Sequence, residues 1–458
     1  MGGATVPGEA LRRAARRFGT PLHVTSVPAL ESAAAELASA FPDPWLRAFS
    51  LKANDVPALV ARLAAAGLDA NVVSSGEWAA ARAAGLPNAR VTLEGVGKSS
   101  ADLRAAVRTC ADGMPLRWVA VESADELDAL VALAARAGLG RGGRPALDVL
   151  LRLNPDVRPE THPGLAVGRG SSKFGMTETE LTAAVSSLPQ DGPVAARGIH
   201  LHVGSQLGAV DAWRDAVRRG LALLALLRAG LPAFDTFDVG GGFPVGDAGT
   251  VPSPARFAAE VGPLLEAIPA DRRPARLAVE PGRFLVASAG WIVAAVLHVR
   301  ERDQAERVVV LDAGMTELIR PMLYDAEHPV TALTSLGVAV APDAGAAAPG
   351  AGAGTEDAGA ATGAGSRTED AGPDPRAPGY SPGLSPVRVD GPVCESTDTF
   401  GQYDLPPLRR GDLVAIGETG AYAASMASTY NGRPAAAQVL LEGDGSLTLA
   451  RRRGRTSR

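Results

Sequence analysis

The sequence is poor in cysteine and in long apolar runs, and each shortage excludes a class of protein. Of 458 residues only Cys110 and Cys394 are cysteines, too few for a disulfide framework or a cysteine-rich zinc site. The most apolar stretches, LALLALL before Arg228 and WIVAAVLHV from Trp291, are shorter than the roughly 18 residues that span a bilayer. The N-terminus lacks the apolar segment of a secretory signal. We therefore expect a protein of the cytoplasm that does not enter a membrane.

The chain also lacks an excess of basic over acidic residues. The chain carries 45 Lys and Arg against 50 Asp and Glu, a formal net charge of -5. Because proteins that bind nucleic acids usually present a basic surface, we expect no nucleic-acid partner. Hydrophobic residues at 46% and charged residues at 21% are typical of a globular protein, and the length predicts two or three domains.

Short apolar runs alternate with Ala- and Leu-rich segments of helical period between residues 20 and 290. Eight of these runs are candidate strands, and they read LRAFSLKA, LDANVVS, RVTLEG, RWVAVES, DVLLRLNP, GIHLHVGS, FDTFDVGGGF and RLAVEPGRF. Strands that alternate with helices form parallel sheets, since a parallel connection needs a crossover. Eight such units over about 250 residues favour an α/β fold of the (β/α)8 barrel type over an open doubly wound sheet.

A second, β-rich domain is predicted after Gly290, where the helical period fades and strand-like runs follow. We expect residues 1–28 to join this domain through the run TPLHVTS, residues 29–290 to form the barrel, and residues 291–458 to form the β domain. From about 338 to 386 the composition collapses into Ala, Gly, Pro, Asp and Thr, which predicts a disordered surface insertion. Because long surface insertions cost little, we expect it to leave Cys394 in place.

Polar residues and glycines follow the predicted barrel strands, at the end of the barrel where the reacting groups of such folds gather. They are Lys52 after the first strand, His202 and Ser205 after the sixth, Gly240, Gly241 and Gly242 after the seventh, and Glu280, Gly282 and Arg283 after the eighth. A buried lysine is costly unless it is neutral or bonded, and a covalent bond to an aldehyde removes that cost. Glycines let backbone N–H groups approach a phosphate, and an acid can keep a ring nitrogen protonated. This combination predicts a pyridoxal phosphate site and no metal site.

Seven blocks, spread over nearly the whole chain outside the predicted insertion, resemble the fold-type III pyridoxal phosphate decarboxylases. They read FSLKAND, HLHVGSQ, DVGGGFP, EPGRF, DAGMTELIRPMLYDAEH, GPVCESTDTF and GAYAASMASTYNGRP. Within this family the chain is most similar to the branch that acts on diaminopimelate. The resemblance implies a homodimer with shared active sites and a reaction that converts meso-diaminopimelate to L-lysine and CO2.

The resemblance also implies roles for residues that bind the cofactor. Lys52 matches the lysine that bonds to the cofactor aldehyde, His202 the histidine stacked on the ring, and Glu280 the acid paired with the ring nitrogen. The motifs around the phosphate contribute Ser205, Gly240, Gly241, Gly242, Gly282 and Arg283, and the arginine also serves the substrate carboxylate.

Further matches concern the substrate. Arg320, Tyr324 and Tyr422 match positions that hold the distal end of the substrate and the phosphate. Cys394 and Glu395 match a pair that enters the partner subunit's site, where the cysteine donates a proton and the glutamate contacts the distal amino group. Diaminopimelate ends in a carboxylate and an ammonium, so it requires the fixed cations and the one anion that these side chains supply.

Other functions remain open from the sequence. A related decarboxylase could act on carboxynorspermidine, ornithine, lysine or a carrier-bound amino acid, although Arg320 and Glu395 weigh against the diamine versions. A cofactor-binding regulator without catalysis would have little reason to keep both Lys52 and Cys394. An amino-acid racemase of this fold tends to place an arginine opposite the ring nitrogen, where this chain has Glu280.

Overall fold

The computed structural model describes residues 7–168, 170, 172–246, 249–301, 307–333 and 383–455. The described chain begins with helix α1 (Gly8–Phe18) and strand β1 (Leu22–Ser26), which precede the barrel. Among the described residues, no helix combines the length and the apolar character that crossing a membrane requires.

Eight parallel strands form a closed barrel and are paired in chain order. They are β2 (Leu46–Ser50), β3 (Asp69–Val72), β4 (Val91–Leu93), β5 (Trp118–Val121), β6 (Leu147–Leu153), β7 (Val194–Leu201), β8 (Thr236–Asp238) and β9 (Arg276–Val279). The barrel closes where Leu46 pairs with Ala278. Six strands lie within their predicted runs, while β6 begins one residue and β7 four residues before the predicted run. Each strand overlaps its run, so the predicted barrel is confirmed.

Eight helices surround the barrel, one before each strand. They are α2 (Val27–Ala40), α3 (Pro57–Ala65), α4 (Ser75–Ala83), α5 (Ser100–Ala111), α6 (Ala124–Arg136), α7 (Glu178–Ser187), α8 (Asp211–Arg228) and α9 (Pro254–Glu266). Several start at a side chain that accepts a hydrogen bond from a backbone N–H of the first turn, and Ser99 and Thr177 form full capping boxes. Their apolar faces pack on the strands in one continuous core that includes Phe49, Phe237 and Trp213.

The rest of the described chain forms a nine-stranded sheet that includes β1. Its other strands are β10 (Gly290–Glu301), β11 (Arg307–Leu311), β12 (Val330–Leu333), β13 (Ser385–Asp390), β14 (Thr399–Leu405), β15 (Leu413–Ile416), β16 (Ala437–Leu441) and β17 (Leu447–Arg451). Two short helices, α10 (Arg283–Val286) and α11 (Arg320–Tyr324), follow β9 and β11 in the chain. Strand β1 pairs antiparallel with β10 and parallel with β16, so the N-terminal segment belongs to this sheet. The predicted β-rich second domain is therefore confirmed, while the domain limits drawn from the sequence stay a prediction.

Of the predicted insertion, residues 338–386, the structure describes only residues 383–386. Residues 338–382 lie outside the described residues, and β13 begins at Ser385.

One segment of the β domain lies across the mouth of the barrel; we call residues 418–426 the mouth loop. Its Tyr422 N–H donates to the carbonyl of Ala53 at 2.8 Å, and the Asn54 side chain donates to the carbonyl of Gly420 at 3.0 Å. The Ser425 hydroxyl donates to the carbonyl of Lys52 at 2.9 Å. These bonds join the β domain to the turn that follows β2.

Candidate active site

A cavity of about 430 Å³ opens at the carboxyl ends of the barrel strands. The predicted site residues that line it are Lys52, His202, Ser205, Glu280, Arg283, Arg320, Tyr324 and Tyr422. A small recess shares Lys52, Ser205 and Arg283 with the cavity and adds Gly242 and Gly282 to its wall. Residues that are up to 370 positions apart in the chain (Lys52 and Tyr422) thus meet in one space.

Lys52 lies in the short turn Leu51–Ala53 directly after β2. The buried neighbours Leu51 and Ala53 anchor this turn in the core, while the lysine side chain is half-buried and reaches the cavity. Among the described residues, its ammonium forms no ion pair with a carboxylate. The amine is therefore available to bond with an aldehyde held in the cavity.

His202 follows β7 and presents a neutral ring to the cavity. Burial, followed by the positive charges of Lys52 and Arg152, holds the pKa of His202 well below its ordinary value. Its Nδ1 accepts the backbone N–H of Gly241 at 3.1 Å, which assigns the proton to Nε2. A flat, uncharged ring of fixed orientation suits contact with the face of an aromatic cofactor.

Glu280 follows β9 and is buried, with 4% of its surface exposed. The Asn71 amide donates to its Oε1, and His200 Nε2 lies 3.2 Å from its Oε2. Burial lowers the pKa of His200 to about 4, so this imidazole is neutral and donates one hydrogen bond. A carboxylate held in this way can keep the nitrogen of a pyridine ring protonated.

Arg283 and Arg320 are both buried, with 6% of each exposed. The Tyr422 ring lies 4.9 Å from the Arg283 guanidinium carbon and 5.7 Å from that of Arg320. Arg283 also donates to the Ser205 hydroxyl at 3.0 Å. Burial, and then the charge of Arg283, lower the pKa of Arg320 to about 10. Within the described residues neither guanidinium has an ion-pair partner, and buried cations without a counterion indicate an anionic ligand.

The three glycines after β8 differ in their position relative to the recess and in their backbone contacts. Gly242 lines the recess and has a φ of 104°, a backbone conformation that favours glycine. Gly240 and Gly241 are not among the lining residues, and a Cβ on either would meet the carbonyl of Leu201 or of Glu280. Their packing thus requires glycine for a reason that the sequence did not reveal.

Cys394 and Glu395 do not line the cavity of this chain. They lie in a segment between β13 and β14, residues 391–398, which we call the Cys394 loop, and both are exposed. The Asp398 carboxylate shapes this loop by accepting the backbone N–H groups of Val393 at 2.7 Å and Met315 at 2.6 Å. The Tyr430 hydroxyl donates to Glu395 at 2.6 Å.

Sequence reasoning missed several side chains of this site. Asn71, Glu94, Glu122 and Asp238 all stand at or just after the carboxyl ends of barrel strands, around the cavity or the side chains that line it. The rule that reacting groups gather at the carboxyl ends of barrel strands predicted Lys52 and Glu280. Applied to every strand, it could also have predicted these four side chains.

The residues that line the cavity fit pyridoxal phosphate. Lys52 can bond the aldehyde, Ser205 and Arg283 can bind the phosphate, and Glu280 can pair with the ring nitrogen. Glu94, His200 and Glu280 also place one donor atom each within 4.8 Å of one another, a spacing that a metal ion would accept. Metal ligands bind deprotonated, however, and burial followed by the charge of Glu280 raises the pKa of Glu94 to about 8.

Several known proteins resemble this chain over nearly its whole length. Residues 28–287 match the sequence profile of the family described as "Pyridoxal-dependent decarboxylase, pyridoxal binding domain". The chain is 31% identical to the diaminopimelate decarboxylase of Zymomonas mobilis over 96% of its own length and 91% of that protein. It is 33% identical to that of Deinococcus radiodurans, over 97% and 96% of the two chains. Helicobacter pylori diaminopimelate decarboxylase, solved in complex with L-lysine, superposes with a TM-score of 0.79 at 27% identity, covering 97% of each chain.

Fold, site and sequence together define a pyridoxal-dependent decarboxylase that uses pyridoxal phosphate. Within this class the chain belongs to the diaminopimelate decarboxylase family.

Proposed function

We propose that this chain is a carboxy-lyase that converts meso-diaminopimelate to L-lysine and CO2, the last step of lysine biosynthesis, in the cavity at the barrel mouth. The observation that carries this proposal is the pair of buried guanidiniums, Arg283 and Arg320, which face the same cavity as Lys52 without an ion-pair partner among the described residues. The phosphate of the cofactor and the distal carboxylate of the substrate are the anions that such a pair would bind.

The side chains of the cavity then have distinct tasks. When bound, pyridoxal phosphate supplies an electron-withdrawing ring that stabilises the carbanion left after CO2 departs. Glu280 would keep a proton on the ring nitrogen, and His202 would pack against one face of the ring. Arg283 and Ser205 bind the phosphate, while Arg320 and Tyr324 bind the distal end of the substrate.

The proton that replaces CO2 comes from another part of the molecule. We assign it to the Cys394 thiol, which transfers its proton to the α-carbon, and we assign contact with the distal ammonium to Glu395. Both residues are exposed and outside the cavity of their own chain. Their exposure supports a homodimer in which each Cys394 loop completes the site of the partner, and the location that we propose for this dimer is the cytoplasm.

Lysine formation from meso-diaminopimelate tests the substrate, with ornithine and lysine offered in parallel. We expect turnover of diaminopimelate alone. Arg320→Leu should raise its KM by about tenfold or more, since a charged hydrogen bond to the distal carboxylate is lost. Arg218→Leu, a change at an exposed position of α8, is the control and should leave KM unchanged. Turnover of ornithine by the wild type at a rate comparable to that of diaminopimelate, or an unchanged KM for diaminopimelate in Arg320→Leu, would contradict the proposed substrate.

Mixing two inactive variants tests the shared sites. Lys52→Ala and Cys394→Ala damage opposite halves of a shared site, so a hybrid dimer contains one intact site. Random reassociation of an equal mixture should restore about 25% of wild-type activity. An active mixture is the expected result. A mixture that stays as inactive as its two components would contradict shared sites.

A further inference from the structure

Three carboxyl groups meet inside the barrel mouth. Glu94 follows β4, Asp238 ends β8 and Glu280 follows β9. Their exposed fractions are 5%, 0% and 4%. Glu280 has a task in the proposed reaction, whereas the cavity-lining Glu94 has none.

Little positive charge compensates these groups. The other titratable or charged side chains that act on these carboxyls or on the two histidines beside them are Lys52, Glu122, Arg152, His200 and His202. Arg152 pairs with Glu122 at 2.5 Å, and both histidines are neutral because burial lowers the pKa of each. That leaves the amine of Lys52, which the cofactor aldehyde consumes. Three ionised carboxylates would therefore be strongly destabilising here.

Two of the carboxyls hold protons instead. Burial, then the charge of Glu280, raise the pKa of Glu94 to about 8 and hold the pKa of Asp238 well above its ordinary value. Glu94 Oε1 and Asp238 Oδ2 are buried and have no hydrogen-bond partner among the described residues. An ionised oxygen left in that way is far more costly than a protonated one. Glu280, to which Asn71 and His200 donate, is left as the single negative charge.

We propose that Glu94 is a positioning residue for the cofactor: as a neutral acid it shares its proton with Glu280, holds that carboxylate toward the ring nitrogen, and makes cofactor retention pH-dependent. The geometry places Glu94 Oε2 3.4 Å from His200 Nε2, the same nitrogen that lies 3.2 Å from Glu280 Oε2. This inference rests on the proposed function, because it takes Glu280 as the partner of the ring nitrogen.

The sign of the pH effect follows from the protonation of Glu94. Below about pH 8 Glu94 is a donor to Glu280, and above it Glu94 becomes a second carboxylate beside the first. The two anions repel each other, which moves the Glu280 carboxylate away from its position at the ring nitrogen, so the cofactor should leave faster as the pH rises.

Release of pyridoxal phosphate from the holoenzyme, followed by absorbance between pH 6.5 and 9.5, measures this effect. We expect release from the wild type to accelerate about tenfold with an inflection near pH 8. Glu94→Gln keeps a neutral side chain at every pH, so this inflection should vanish. Glu94→Ser should also lack the inflection while releasing the cofactor faster at every pH, and it covers the case in which the glutamine variant does not fold.

Glu317→Gln is the matched control. Glu317 is another buried glutamate, 2% exposed, whose pKa burial also raises, but it lies in the β domain. Its variant should keep the wild-type inflection. Any pH dependence of the covalent bond at Lys52 is common to all the proteins, so the difference between variants isolates Glu94.

Two results would overturn the inference. One is an inflection that persists in both Glu94 variants while cofactor uptake is intact, which leaves the proposed function standing. The other is a stoichiometric metal ion in the purified holoenzyme whose removal abolishes the wild-type inflection. Failure of the wild type to take up pyridoxal phosphate at all would overturn the proposed function together with this inference.

Discussion

The mouth loop and the Cys394 loop come from the same β domain, yet only the first reaches the cavity of its own chain. The mouth loop is bonded to the barrel through Ala53 and Asn54, and its Tyr422 lies on the wall of the cavity. The Cys394 loop is held inside its own domain by Asp398, and it exposes Cys394 to solvent.

The difference shows how one domain can serve two sites. Backbone hydrogen bonds to the barrel fix the mouth loop, so cofactor binding can be completed within a single chain. The Cys394 loop has a defined shape without contact to the cavity, which suits a group presented to another subunit. Substitutions in the two loops should therefore affect different steps.

Removal of Lys52 should have the largest effect, because the tasks proposed for both loops depend on the cofactor to which Lys52 bonds. Lys52→Ala should lower kcat by at least about a thousandfold and abolish the covalent bond to the cofactor. Mass spectrometry after borohydride reduction detects that bond. The chain has only two other lysines, Lys98 and Lys173, and Lys173→Ala at an exposed position is the control. A reduced cofactor attached to Lys98 or Lys173 in the wild type would refute the assignment.

Loss of the thiol should separate catalysis from binding. Cys394→Ala removes the proposed proton donor, and we expect kcat to fall by about a hundredfold or more. Cofactor affinity should stay nearly unchanged, because the task proposed for Cys394 is proton transfer to the substrate, whereas Lys52, Ser205 and Arg283 are the residues proposed to hold the cofactor. The matched control is Cys110→Ala, a buried cysteine of α5, which should lower stability and leave kcat unchanged. Equal losses of kcat in the two variants would count against a special role for Cys394.

We expect a smaller loss of kcat when the Cys394 loop keeps its thiol but loses the hydrogen bonds that fix its conformation. In Asp398→Asn one of the two backbone N–H groups that the carboxylate accepts faces an amide donor instead. We expect kcat to fall by about tenfold and unfolding to become easier by about 1–3 kcal/mol. Steady-state kinetics and thermal unfolding measure the two effects. Asp412→Asn, in a turn of the same domain, should lower stability only; if it lowers kcat equally, the loss reflects the domain rather than the loop.

The smallest effect concerns the attachment of the mouth loop. A Cβ at Gly420 would meet the carbonyls of Val286 and Ala287, so Gly420→Ala must displace the loop. We expect a stability loss of about 1–3 kcal/mol and weaker cofactor binding, measured by thermal unfolding and by titration. Gly262 in α9 has open space around it, and Gly262→Ala should be neutral or slightly stabilising. Unchanged cofactor affinity in Gly420→Ala would show that the loop position does not control binding.

Local sequence patterns were sufficient to predict the architecture and several of the side chains that line the cavity. The alternation of strand and helix patterns predicted the barrel, and the rule that polar residues gather at strand ends predicted Lys52, His202 and Glu280. The barrel is confirmed and the three side chains line one cavity, because both depend on local patterns and on one general property of the fold. The roles assigned to these side chains stay predictions. The β domain was predicted in the same way, from its strand-like runs.

Interactions between side chains that are distant in the chain could not be predicted, because they depend on how the strands are arranged in the folded protein. Glu94 and Glu280 are far apart in the chain, and barrel closure alone brings them into one buried cluster whose charge then fixes their protonation. The packing of Gly240 and Gly241 against the backbone of neighbouring strands likewise depends on distances that no sequence pattern encodes. Burial and proximity between separate strands are properties of the folded chain, and they set the electrostatics of the site.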